Sequence, residues 1–307
     1  MDVSVAVDTL FGGAVPERET ELRTLWGQQV DRVRLLDAEK FLLHQLYGTI
    51  QVNEIALRQI WLTGYAAWRA IEAYSDPLKD ASQNHRAFDP LAWNTDPTQA
   101  GLDADFDGVL GEVGKLSKVR SLNDFDWPAD VPFPEVGLKL PVAGEKAAFD
   151  LVCMAGAYVF AHEIRHALFE AAGDAPDDIL KEELACDAWA LGLMLDGAED
   201  YERQHHPDLH GSVRAKRILG ILIAQLTILA VTPRPLWDNS TDHPSVRDRL
   251  RAVLDAVTDP TPDWFWLSVA SMLTAFSRYL GTLGAPVVCP ADCRVLAYNL
   301  CDGFRSA

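Results

Sequence analysis

Positive charge is what this sequence is shortest of. It has 27 Lys and Arg against 45 Asp and Glu, a formal net charge of −18 and a pI near 4.7. Such a surface repels phosphate backbones, so no nucleic-acid partner is expected. Paired cysteines are missing as well. Cys153, Cys186, Cys289, Cys293 and Cys301 are odd in number and form no CxxC set, which argues against a disulfide framework and a cysteine-built zinc site. Free thiols in a reducing compartment are the simpler expectation, and no functional Cys289–Cys293 pair is anticipated. The opening MDVSVAVDTLFGG lacks a cationic segment leading into a long apolar one, so it does not read as a usual signal peptide. The longest apolar run, Ile218 to Val231, is broken by Gly220, Gln225 and Thr227. It falls short of the ~20 residues that span a bilayer. These absences lead to the expectation of a cytoplasmic protein without stable membrane insertion.

What is present is enough for a sizeable core: 307 residues, of which 49% are hydrophobic. Helical spacing recurs at Leu22, Leu25 and Trp26, at Phe41, Leu42, Gln45 and Leu46, and through Trp61, Tyr65 and Trp68 to a stop at Asp76-Pro77. Residues 77–144 then crowd Pro, Asp, Gly and Trp. They read as an irregular lid or docking region, with Val136 to Val142 the best strand candidate and Leu138 to Val142 a place for extended substrate to pair. Helix is expected again from about Glu145. The reading is mainly α with a small β-sheet, an α+β protein of one domain spanning 1–307, whose residues 1–76 form a helical N-terminal part.

The chemistry concentrates in His162-Glu163-Ile164-Arg165-His166. On a helix, positions i and i+4 share a face, so two imidazoles can meet one ion. Glu163 sits beside them, placed to act as a base on a water rather than as a ligand. Zinc suits this set because it keeps an open coordination position and acidifies water. The preceding run LVCMAGAYVFA is apolar, so these polar groups enter a buried helix and need a partner there. A third ligand is available in the next helix, Lys181-Glu-Glu-Leu-Ala-Cys-Asp187. Glu183 can close the coordination and Asp187, four residues on, can hold the second ring nitrogen of a ligand histidine. Glu182, about 100° around the helix, competes with Glu183. Leu184, Trp189 and Leu191 on an apolar side favour Glu183 facing inward.

His-Glu-x-x-His followed by Glu-x-x-x-Asp on a second helix resembles the gluzincin metallopeptidases. That resemblance implies a zincin-like fold, zinc on His162, His166 and Glu183, Asp187 supporting the ligands, and Glu163 as catalytic base. Ser240-Thr-Asp-His-Pro-Ser-Val-Arg247 is similar to the Thr-His-Pro-Ser…Arg segment of HtpX-like peptidases, with Asp242 inserted. By that resemblance His243 or Arg247 stabilises the oxyanion formed during hydrolysis. The same residues also read as a helix start, capped by Thr241 or Asp242 with Pro244 in the first turn. The layout without membrane helices resembles the Lit-type phage-exclusion peptidases, which cleave elongation factor Tu. This implies a specific intracellular protein substrate, such as a translation elongation factor. Two other readings stay open: a zinc amidohydrolase acting on a non-protein substrate, and a metal-binding sensor without turnover. Asp103-Ala-Asp-Phe-Asp-Gly108 copies the start of a calcium loop but has Gly114 where its last ligand should stand, and is read as an acidic turn. His205, His206 and His210 near Tyr201 are read as an exposed loop.

Overall fold

The computed structural model describes residues 10–27, 33–37, 40–84, 86–89, 96–119, 121–135, 138–283, 287–288 and 292–306. A short helix α1 (Glu19–Gly27) precedes strands β1 (Val33–Leu35), β2 (Leu43–Leu46) and β3 (Thr49–Val52). Then come α2 (Glu54–Gln83), β4 (Ala87–Phe88), α3 (Pro97–Leu116), α4 (Ala143–Ala172), α5 (Ile179–Leu195) and α6 (Ala198–His205). The chain closes with α7 (Ser212–Val231), α8 (Val246–Asp255), α9 (Asp263–Tyr279), β5 (Val287–Val288) and α10 (Cys293–Cys301). The protein is mainly helical with a small sheet ordered β1-β3-β2, parallel between β1 and β3 and antiparallel between β2 and β3.

The hub is α4. It packs against α2, α5, α7 and the β2–β3 hairpin. Its apolar residues run all the way round rather than along one stripe, as a helix enclosed by neighbours requires. Two glycines allow the closest approaches. A Cβ at Gly64 of α2 would collide with Val152, and one at Gly220 of α7 with Met154. Among the described residues α4 is the helix long and apolar enough to cross a membrane, yet 67% of its most apolar window is buried inside the protein. The run Ile218–Val231 lies in α7 and is mostly buried.

Three local expectations are corrected. Residues 43–46, whose spacing fitted a helix, form β2, because cross-strand pairing with β3 overrides a period too short to decide. Helix α2 does not stop at Pro77 but runs through it to Gln83. Residues 138–142 form no strand and lead straight into α4, while 136 and 137 fall outside the described residues, as does Cys289. Within 77–144, residues 97–116 form α3, N-capped by Asp96. The stretch Asp103–Gly108 lies inside that helix, where Asp107 accepts a hydrogen bond from Arg278 of α9 at 3.0 Å. His205 and His206 flank Tyr201 at the end of α6, with ring centroids 4.7 and 5.7 Å from it.

Candidate active site

Two helix starts set the geometry. Asp178 caps α5 by accepting from the N–H groups of Leu180 and Lys181 at 2.9 and 3.2 Å. This fixes where Glu182, Glu183 and Asp187 face. Ser245, not Thr241 or Asp242, caps α8, accepting from Asp248 N–H at 3.1 Å. The Ser240 hydroxyl instead folds the preceding loop by accepting from His243 N–H at 3.1 Å.

On α4, His162 and His166 present their Nε2 atoms to each other at 3.1 Å. Glu183 of α5 completes the group, with Oε1 3.2 Å from His166 Nε2 and Oε2 3.5 Å from His162 Nε2. Among the described residues this is the one group of histidine, cysteine and carboxylate ligands close enough to hold a metal ion. Each imidazole is held from behind. His162 Nδ1 lies 2.9 Å from Asp187 Oδ1, and His166 Nδ1 lies 2.7 Å from Glu182 Oε1. With both Nδ1–H groups donating to carboxylates, both Nε2 lone pairs point inward at each other and at Glu183. With both imidazoles neutral in that tautomer, three acceptors converge, an arrangement that a cation at its centre would satisfy. In the metal-free protein a proton serves. Burial disfavours charge on His162, but hydrogen bonds to Asp187 and Glu183 outweigh it and push its pKa up to about 10. Burial alone would raise the Glu183 pKa, yet hydrogen bonds from His162, His166 and His243 hold it well below the usual range.

Behind the carboxylates sits Arg249 of α8, 7% exposed. Its Nη2 donates to Glu183 Oε2 at 2.5 Å, and its Nε lies 3.1 Å from Asp187 Oδ2 as an ion pair. Tyr158 donates to Asp187 Oδ1 at 3.0 Å and is itself held by Gln225 Nε2 at 3.0 Å. Glu183 and Asp187 thus share one buried arginine, and with Glu163 and Glu182 nearby the surplus of negative charge also fits a divalent cation.

Glu163 is buried on the same helix, and burial raises its pKa. Its Oε2 accepts from the backbone N–H of Gln45 at 2.5 Å, so the outer edge of β2 runs beside it. A raised carboxyl pKa brings the group nearer neutrality, where a general base works best. His243 stands at the rim, 61% exposed, with Nδ1 3.1 Å from Glu183 Oε2. Arg247 is placed elsewhere and pairs with Asp248 at 3.6 Å. Two residues apart on a helix differ by about 200°, so α8 turns Arg249 inward and Arg247 away.

A family comparison matches residues 50–269 to peptidase U49, a span that holds α4, α5, His243 and Arg249. The chain belongs to the peptidase U49 family. A U49 peptidase acts on a protein or peptide. Comparisons with curated proteins and with solved structures give no match.

Sequence reasoning missed three contributors to this peptidase's site. Arg249 was passed over for Arg247, although its signal was its place six residues after His243 in the same segment. Glu182, a rival ligand by sequence, lies behind His166 and orients its ring. Gln45 acts through its backbone and left no side-chain signal. A cavity of about 370 Å³ lined by Glu202, Arg214, Val257 and Phe265 lies at other residues. Its charged groups serve helix ends: Glu202 accepts from Val213 N–H at the start of α7, and Arg214 donates to the Ala256 carbonyl that follows α8.

Proposed function

We propose that this peptidase is a zinc-dependent endopeptidase. The observation that carries the reading is the convergence of His162 Nε2, His166 Nε2 and Glu183, whose ligand atoms lie close enough together to hold one ion. His162, His166 and Glu183 hold the ion; Asp187 and Glu182 fix the two imidazole tautomers. Bound there, zinc supplies the Lewis acidity that makes a water easier to deprotonate. Glu163 would take a proton from the attacking water as its oxygen bonds to the scissile carbonyl carbon, and give it to the amine nitrogen as the C–N bond breaks. His243, at the rim with Nδ1 3.1 Å from Glu183 Oε2, is the side chain assigned to the developing oxyanion. Arg247 has no part in this scheme. The HtpX-like and Lit-type resemblances support a specific intracellular protein as substrate, a translation elongation factor in phage-infected cells, and a cytoplasmic location.

The test compares cells expressing the wild-type protein or Glu163→Gln, with and without phage challenge, by mass spectrometry of new protein N-termini. A small set of cuts absent from the Glu163→Gln cells is expected. Broad peptide release, or cuts that persist in the variant, would overturn the proposal.

A further inference from the structure

The β2–β3 hairpin is bound to the catalytic helix at three points. Gln45 N–H donates to Glu163. Glu170 lies seven residues further along α4, two turns on and on the same face. It accepts from Gly48 N–H at 2.6 Å and from the side chain of Gln45. Leu46 pairs with Thr49, which leaves Tyr47-Gly48 as a two-residue turn.

Both turn residues have positive φ, 49° at Tyr47 and 69° at Gly48. A turn of this kind favours Asn-Gly, since left-handed backbone is unfavourable for a bulky side chain. Tyrosine also gains nothing from burial there, because Tyr47 is 88% exposed and its neighbour Leu46 is 42% exposed. The fold therefore has no use for a tyrosine at this position and bears a backbone strain to keep one. Strain of this sort concentrates where a side chain serves a ligand. Glu163 is close at hand: Tyr47 Cα lies within ~8 Å of Gln45 Cα, whose N–H donates to Glu163.

We infer that the Leu46-Tyr47 turn selects the polypeptide that this peptidase cuts. Tyr47 packs on an apolar side chain near the scissile bond, and Glu170 is the positioning residue that holds the turn beside Glu163. An exposed leucine and a tyrosine on a pinned turn offer apolar area at little cost in ordering. The occupant is the substrate because the strand that carries the turn is in direct contact with Glu163. The inference rests on reading Glu163 as the catalytic base.

The test uses zinc-loaded protein, a set of short synthetic peptides of varied sequence, and the soluble proteins of a bacterial lysate. Cut bonds are read by mass spectrometry, with Glu163→Gln as the blank. Tyr47→Ala is expected to lower kcat/KM by about tenfold or more, mainly through KM, and to flatten the preference for an apolar residue near the cut. Tyr47→Phe keeps both. Tyr47→Asn suits the turn, so it should melt about 1–3 °C above wild type while cutting as poorly as Tyr47→Ala. Glu170→Gln should lose selectivity, and zinc content should stay at the wild-type level in every variant. A Tyr47→Ala protein that cuts the same bonds at the wild-type rate would overturn the inference, and so would a Tyr47→Asn protein that melts lower. If the wild type makes no cut that Glu163→Gln abolishes, the reading of Glu163 falls and this inference with it.

Discussion

At the scale of single residues the site is a set of paired roles, each resting on a second atom. His162 and His166 are aimed by Asp187 and Glu182, and Glu183 is aimed by Arg249. Adjacent glutamates on one helix therefore do different work. In the proposed site Glu183→Ala removes a ligand, whereas Glu182→Ala frees the His166 ring. Zinc affinity, read by competition with a chromogenic chelator, should fall about 10–100-fold in Glu182→Ala and further in Glu183→Ala. The reverse order would make Glu182 the ligand. Arg249→Met leaves Glu183 and Asp187 buried together without their cation. Metal-free protein with this change should lose about 3–5 kcal/mol in urea denaturation, and zinc should restore part of it. A loss under ~1 kcal/mol would show that Arg249 is not the counter-charge of the pair.

At the scale of elements the site depends on how closely α7 and α2 can approach α4. Gly220→Ala forces a methyl group into Met154 and should cost about 1–3 kcal/mol. Gly101→Ala in α3 meets no atom within 4 Å and should instead stabilise by about 0.5–1 kcal/mol through helix propensity. Thermal melts of both variants test whether the crossing is as tight as described. The same scale shows what could be read in advance. The helix at 54–76 was legible from its apolar periodicity, and those around 162 and 183 from long apolar runs and the i, i+4 spacing of their polar residues. The hairpin was not: four-residue strands carry too few alternations to outvote a helical spacing, and Tyr-Gly is a poor sequence match to the turn it forms. Helix α3 hid behind its prolines and aspartates, although Asp96-Pro97 is a helix start, cap then proline in the first turn. In the candidate site, side chains spaced along one helix were readable. Residues brought in by tertiary packing, such as Gln45 and Tyr158, were not, because their positions depend on neighbours far away in the chain.

At the scale of the whole molecule, the proposed metal site would couple ion binding to folding. The hub helix buries His162 and Glu163 and half-buries His166, and a second helix adds the carboxylates of Glu182, Glu183 and Asp187, charge that an ion would neutralise. Zinc at about 100 times its dissociation constant should stabilise the protein by about 2.7 kcal/mol. The melting temperature should then rise by about 4 °C, and EDTA should reverse the rise. No change on chelation would place the metal outside the folded core. The most direct measurement is elemental analysis of the purified protein, wild type beside His166→Ala. About one zinc per chain in the wild type and almost none in the variant is the result expected of a site built by α4 and α5. Equal zinc in the two proteins, or none in either after zinc is supplied, would contradict it.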